Sequence, residues 1–332
     1  MYKRFCQAHS TFRWFWPMVV WWCMGFGTLS ADTESDSVQP IRFLPHWIPQ
    51  AQFAGFYMAA EAGYFEEEGL LVEVLQGGPE RNPMDWLREN RVEFASLFLS
   101  QGISLRGEGV PIVNVAQLLP ESSLLLVARA DSGIREARDL DGRKVAVWPA
   151  FAAQPQALFE RLEINPIVVE QGASLGVFLW GGVEAICAMR YNEFQQLYLS
   201  GLEEEELVIL SLEDYNVGFP EDGIYVQESF REAHPEKVRA FVRAVRQGWE
   251  SAFADPEKAV DLVMAESDRA GLITSRALQH RMLNALGEVY LDDQGGLVES
   301  ALTPRDFLFV REAIQEFDGI EETIRYEDFY RP

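Results

Sequence analysis

What most limits the fold of this chain is a regular exchange of short apolar runs with helical stretches between residues 41 and 227. Residues 41–44, 71–75, 93–98, 112–118, 123–128, 144–148, 167–170, 183–189, 207–212 and 224–227 have the apolar, β-branched content of buried strands. Between them, residues 55–67, 83–90, 100–106, 154–163 and 192–199 have helical spacing, with Phe56, Ala59, Ala60 and Tyr64 on one side of the first. Such alternation predicts an α/β fold, with parallel sheets covered by helices on both faces. Beyond Ser229 the pattern is mainly helical, and Asp255-Pro256 and Thr303-Pro304 pair an N-cap residue with a first-turn proline. Strands followed by a helical tail mean that the C-terminal part packs back onto an earlier sheet. A length of 332 residues leaves room for two lobes. A cleft between two sheets, near the carboxyl ends of their strands, is where ligands usually bind.

The first 31 residues differ from the rest. They hold Lys3, Arg4 and Arg13 but no acidic residue, are mostly apolar from Trp14 to Phe26, and end on Thr28-Leu29-Ser30-Ala31. A basic start, a short apolar core and a small-residue exit predict an export signal over residues 1–31, cleaved near Ala31; a retained anchor is the alternative. Every later apolar run is short and interrupted by charge. With 28 basic against 52 acidic residues the formal charge is −24, which disfavours nucleic acid and anionic lipid as partners. Cys6 and Cys23 belong to the leader, so Cys187 stands alone in an apolar run as a buried small hydrophobe.

Motifs for catalysis are scarce. His46, His234 and His280 have no metal-ligand spacing, and a phosphate loop, a dinucleotide fingerprint and a nucleophile elbow are missing from the sequence. No metal and no cofactor is expected. What stands out is aromatic and polar residues at strand ends: residues 46–53 after the first strand, Trp148-Pro149-Ala150-Phe151, and Arg190-Tyr191-Asn192-Glu193-Phe194. Aromatic faces with a few amides and a carboxylate suit a flat, nitrogen-rich ring, and packing between lobes would use the same residues.

Trp47-x-Pro49, Phe53-Ala54-Gly55-Phe56-Tyr57-Met58-Ala59 and Gly63-Tyr64-Phe65-x-x-x-Gly69-Leu70 resemble exported substrate-binding proteins of ABC importers. Met189-x-Tyr191-Asn192-Glu193 and Pro220-Glu221-Asp222-Gly223 narrow the resemblance to the branch that binds pyrimidine precursors of thiamine. The resemblance implies a type II periplasmic binding protein fold: two lobes, each a central mixed β-sheet covered by helices, with the ligand cleft between them. Lobe 1 would hold residues 40–126 plus 226–332, and lobe 2 residues 127–225. It also implies a periplasmic protein, an ABC permease as partner, and a formylaminopyrimidine or hydroxymethylpyrimidine as ligand. Trp47 matches the stacking aromatic of the first lobe. Tyr191, Asn192 and Glu193 match the second-lobe motif, with Glu193 facing the aminopyrimidine edge. Gln52, Tyr57, Gln101, Trp148 and Asp222 join the candidate ligand-binding set by position.

Three alternatives remain open. One is another ligand of the same broad family pattern, such as riboflavin, a sulfonate or an aromatic acid. Another is a ligand-sensing partner of a membrane signalling protein. The third is a pyrimidine synthase. The fungal synthases that resemble these proteins carry a cysteine-rich segment and a histidine after the first Trp-x-Pro. Here the corresponding residues 216–221 lack cysteine, and Phe53 stands near that histidine's place, with His46 close by. A binding protein rather than an enzyme is therefore expected.

Overall fold

The apolar runs become strands β1 (Ile41–Leu44), β2 (Val72–Val74), β3 (Phe94–Leu97), β4 (Ile112–Leu119), β5 (Leu124–Arg129), β6 (Lys144–Val147), β7 (Ile167–Glu170), β8 (Ala185–Met189), β9 (Leu207–Ser211) and β10 (Glu221–Gln227). The structure, a computed structural model, describes residues 39–298, 301–318 and 324–332. The expected leader, residues 1–31, lies outside the described residues. Two five-stranded sheets form, one in the order β2-β1-β3-β10-β4 and the other in the order β7-β6-β8-β5-β9. Helices flank both, giving a two-lobe α/β architecture.

Neither sheet is wholly parallel, which corrects the expectation from alternation alone. β1 runs parallel to β2 and β3, but β10 is antiparallel to β3 and β4. In the second sheet β6 is parallel to β7 and β8, whereas β5 is antiparallel to β8 and β9. Chain direction at the hinge explains both exceptions. β4 runs toward the hinge and β10 comes back from it, so two neighbours in one sheet must point opposite ways. β5 and β9 stand in the same relation on the other side.

The chain passes between the sheets at residues 120–123 and returns at residues 212–220. Boundaries placed at 126/127 and 225/226 therefore fall inside β5 and β10. A fully buried strand reads as a continuous apolar run whichever sheet it joins, so its pattern does not say where one lobe stops.

The helical run expected over residues 55–67 is two helices, Ala54–Glu61 and Tyr64–Glu67. Gly63 separates them at φ 79°, a left-handed conformation that glycine adopts without a Cβ penalty. Phe56 of the first stacks on Phe43 of β1 at 4.2 Å. Phe241 of the Pro235–Ala254 helix stacks on Phe94 of β3 at 4.0 Å, so the helical tail does pack back onto the first sheet. Asp255 caps the Pro256–Arg269 helix by accepting from Lys258 N at 3.1 Å, and Thr303 Oγ1 accepts from Asp306 N at 3.1 Å. Among the described residues no helix is long and apolar enough to cross a membrane.

Candidate functional site

The first wall of the cleft is the loop that leaves β1. Residues 45–53 make a tight path whose backbone is held by distant side chains. Ser267 Oγ donates to Pro49 O at 3.2 Å, and Gln279 Oε1 accepts from Ala51 N at 2.7 Å. Both partners sit on C-terminal helices, Pro256–Arg269 and Arg276–Tyr290. Gly77 lets the segment after β2 lie against the Trp47 and Pro45 carbonyls, where a Cβ would collide with both oxygens. Trp47 is thereby fixed at the carboxyl end of β1.

The opposite wall comes from strand ends of the second sheet. β6 is followed by Trp148 and the Pro149–Phe151 turn; β8 ends at Met189, followed by Tyr191 and Asn192. Glu193 opens the Glu193–Leu199 helix and folds back, accepting from Met189 N at 3.0 Å and from Asn192 Nδ2 at 3.3 Å. Burial raises its pKa, against the opposing pull of the Glu193 and Met189 backbone N–H groups.

Between the walls lies a cavity of about 350 Å³. Trp47, Gln52, Gln101, Trp148, Tyr191, Asn192 and Glu193 line it; Tyr57 and Asp222 do not. Tyr57 is buried in the Ala54–Glu61 helix, where burial and the nearby Glu266 charge raise its phenol pKa. Its place in the motif reflects packing, since a helix turns the residue after Phe56 away from the strand end. Asp222 sits behind Gln52, whose Nε2 donates to both carboxylate oxygens at 3.0 and 2.9 Å. His46, Gln50, Asn82, Phe98, Phe151 and Met189 also line the cavity, although none was in the candidate ligand-binding set. The strand-end rule that pointed to Trp47 also covers His46 and Gln50. It also covers Phe98, which follows β3, whereas Asn82 is brought in only by packing.

The walls touch. Trp47 and Trp148 meet edge to face at 6.2 Å and 80°, and Phe98 meets Phe151 at 5.8 Å and 75°. Asn192 Nδ2 reaches Gln50 Oε1 at 3.5 Å. Farther out, Arg281 Nε donates to Gln195 Oε1 at 3.1 Å. The lobes are closed on one another.

Behind the first wall lies a buried polar cluster. His46 Nδ1 is 2.7 Å from Ser96 Oγ, and its Nε2 is 3.2 Å from Gln52 Nε2 and 3.6 Å from Asp222 Oδ1. Burial pushes the imidazole down to about 3, so the ring is neutral and its contact with Asp222 is polar rather than an ion pair. Burial pushes the Asp222 carboxyl up to about 7, against the Gln52 hydrogen bonds. Asp222 has φ 55°, an uncommon left-handed conformation for a side-chain-bearing residue. Its neighbour Glu221 is pushed up to about 8, by burial first and the Asp222 charge second. Glu221 Oε1 accepts from Ser123 N at 2.8 Å and from Ser122 Oγ at 3.2 Å, tying the two hinge crossings together. Cys187 is buried in β8, and no group of three or more His, Cys, Asp or Glu among the described residues is placed to hold a metal.

Residues 50–259 match the NMT1/THI5 like family, and the chain belongs to that family. A riboflavin-binding protein of Chloroflexus aurantiacus is 27% identical over 247 residues, 70% of this chain and 68% of that protein. A formylaminopyrimidine-binding protein of Halalkalibacterium halodurans is 22% identical over 268 residues, 77% and 79% of the two chains. A 4-amino-5-hydroxymethyl-2-methylpyrimidine phosphate synthase of Aspergillus parasiticus is 23% identical over 249 residues, 68% and 70%. Among solved structures, the periplasmic aliphatic sulphonate binding protein of Escherichia coli shares the fold, with a TM-score of 0.69 at 12% identity over 89% of this chain and 93% of that one.

Proposed function

We propose that this member of the NMT1/THI5-like family is the exported solute-binding component of an ABC importer, and that it delivers a thiamine pyrimidine precursor of the formylaminopyrimidine or hydroxymethylpyrimidine type. The observation that carries this reading is the make-up of the cleft. Its faces are aromatic, with Trp47, Phe98, Trp148 and Phe151, and its polar edge is Gln50, Asn192 and Glu193. A flat ring stacks between such faces, and a carboxylate receives the N–H groups of an amino-substituted heterocycle.

The same make-up argues against an organic anion. No Arg or Lys is among the residues lining the cavity, and Glu193 would repel a sulfonate or carboxylate. The fold likeness to a sulphonate binder therefore does not extend to a sulphonate ligand. Riboflavin is the second reading, favoured by the likeness to the Chloroflexus protein and by aromatic walls that also suit a larger ring system.

Binding would proceed by docking on the Trp47 side, followed by closure of the second sheet's strand ends over the ligand. A ligand drives closure only by interacting better with the closed state, so residues of both walls contribute to affinity. Calorimetric titration of the protein with formylaminopyrimidine, hydroxymethylpyrimidine, riboflavin and taurine tests the assignment. One-to-one binding of a pyrimidine in preference to the others is expected. Preferential binding of riboflavin moves the assignment to the second reading, and preferential binding of taurine overturns both.

A further inference from the structure

A chain of side-chain amides runs through the closed cleft, and each amide-to-amide link has a direction. Gln52 Nε2 donates to Asp222 at 2.9 Å and faces His46 Nε2 at 3.2 Å. Gln52 Oε1 accepts from Gln50 Nε2 at 2.6 Å. Gln50 Oε1 accepts from Asn192 Nδ2 across the cleft at 3.5 Å, and Asn192 Oδ1 accepts from Gln196 Nε2 at 2.8 Å. Asn192 Nδ2 also donates to Glu193 Oε1 at 3.3 Å.

We propose that Asp222 is a positioning residue for ligand recognition: acting through Gln52, it fixes which end of the Gln50 amide faces the cleft and so sets the donor-acceptor pattern offered to the ligand. Burial raises the Asp222 carboxyl to about 7, so above that pH it is a carboxylate, which accepts hydrogen bonds and donates none. The Gln52 nitrogen lies against both oxygens of that carboxylate, a position where an amide oxygen would be repelled. With the nitrogen pinned, the Gln52 oxygen must face Gln50. The Gln50 nitrogen is then turned inward and its oxygen outward. Asn192 from the other lobe answers with its NH2 group, and the closed state gains a polar latch.

The left-handed backbone at residue 222 serves this arrangement. An extended residue in a strand alternates its side chain between the sheet faces. The φ of 55° at Asp222 departs from that pattern, and β10 shows an irregular register nearby, between Ile224 and Tyr225. Asp222 and Gln52 are each almost fully buried, with 3% and 2% exposure. Asp222 therefore acts through Gln52 and makes no contact with the cavity itself.

The consequence is a cleft edge rich in acceptors, Gln50 Oε1 and the Glu193 carboxylate, matched to a ligand that presents N–H donors. This deepens the pyrimidine reading and rests on it for the ligand, but the relay itself can be tested without one. Asp222→Asn keeps the shape and, since asparagine tolerates φ near +55°, the backbone. It replaces the acceptor-only group with one that can also donate, so that Gln52 is free to turn over. Gln52→Glu combined with Asp222→Asn reverses the first link but still presents an acceptor to Gln50.

The first readout is the set of side-chain amide NMR signals of the ligand-free protein at pH 8, where Asp222 is mostly a carboxylate, assigned with Gln50→Ala, Gln52→Ala and Asn192→Ala. Asp222→Asn should shift the Gln52 and Gln50 signals together, and the double variant should return the Gln50 signals toward their wild-type positions. A shift confined to Gln52 would overturn the relay whatever the ligand is. The second readout is affinity for formylaminopyrimidine and riboflavin. For whichever probe the wild type binds, Asp222→Asn should weaken binding by roughly tenfold, the scale of one hydrogen bond, and the double variant should recover most of it. Equal affinity of wild type and Asp222→Asn would overturn the positioning role. If the wild type binds neither probe, the ligand assignment fails while the amide signals still decide the relay.

Discussion

The two sheets have the same plan, with three parallel strands, then a hinge strand running the other way, then an edge strand. What surrounds them is different. β1 of the first sheet carries Phe43 at zero exposure, stacked on Phe56, and the C-terminal helices cover that sheet. β7, at the edge of the second, leaves Ile167 and Val168 each 53% exposed. The contrast continues into the cleft. The first wall is backed by a buried network from His46 to Asp222, and its loop is tied to helices more than two hundred residues away. The second wall is two strand ends, at residues 148–151 and 189–192, and a helix start, with Glu193 bonded to its own segment. One wall is held by long-range contacts and the other by local ones. A binding protein that closes by hinge motion gains from this division, because only one half of the site must move.

Truncating each sheet in turn is the strongest way to break that comparison. Phe43→Ala should cost about 3–5 kcal/mol of stability in chemical denaturation, the scale of a fully buried phenylalanine. A small loss would mean that the first sheet is no better consolidated than the second.

Stability should also depend on pH through the hinge. The folded pKa values of Glu221 and Asp222, about 8 and about 7, lie above their unfolded values near 4. The native state therefore holds these protons more tightly. The stabilisation is complete below about pH 4 and is lost as pH rises through 7 to 8. Denaturation midpoints should be higher at pH 5 than at pH 8, and Glu221→Gln, which mimics the protonated acid, should flatten the difference. An unchanged slope would remove Glu221 from the hinge electrostatics.

In the cleft, Glu193→Gln should weaken ligand binding by about 1.5–3 kcal/mol, the scale of a charged hydrogen bond. Wild-type affinity in this variant would leave recognition to the first wall alone. The smallest effect is expected at the edge of the second sheet. Val168→Ala should change stability by less than about 0.5 kcal/mol, because the side chain is half exposed already. A loss comparable to that of Phe43→Ala would erase the contrast between the lobes.

Much of this was legible in the sequence. Strand positions follow from local apolar content, and ends differed by only a few residues. The N-caps at Asp255 and Thr303 follow from residue type, because the side-chain oxygen and the first-turn proline act within one turn. The segments holding Trp47, Trp148 and Tyr191-Asn192-Glu193 stood out because cleft residues in α/β folds stand at the carboxyl ends of strands, and the family resemblance singled out Trp47 and the Tyr191-Asn192-Glu193 run among them. These are short-range facts, fixed by which residues are neighbours along the chain.

The remainder depends on groups far apart in sequence. Which sheet β5 and β10 join is decided by the direction in which the chain crosses the hinge, and an apolar run looks the same in either sheet. Asp222 lies in a motif that the sequence pointed to, yet its role behind Gln52 depends on a partner 170 residues away. Tyr57 stood beside cleft residues in the chain, and the turn of one helix buried it elsewhere. Ser267 and Gln279 shape the Trp47 loop with no local signal at all, because a hydrogen bond to a backbone group 218 or 228 residues distant leaves no periodicity to read. Sequence determined the elements and the ends of strands where a ligand would sit. Tertiary structure alone decided which side chains face the cleft and which stand behind it, because both depend on contacts that exist only once the two sheets and the helical tail have come together.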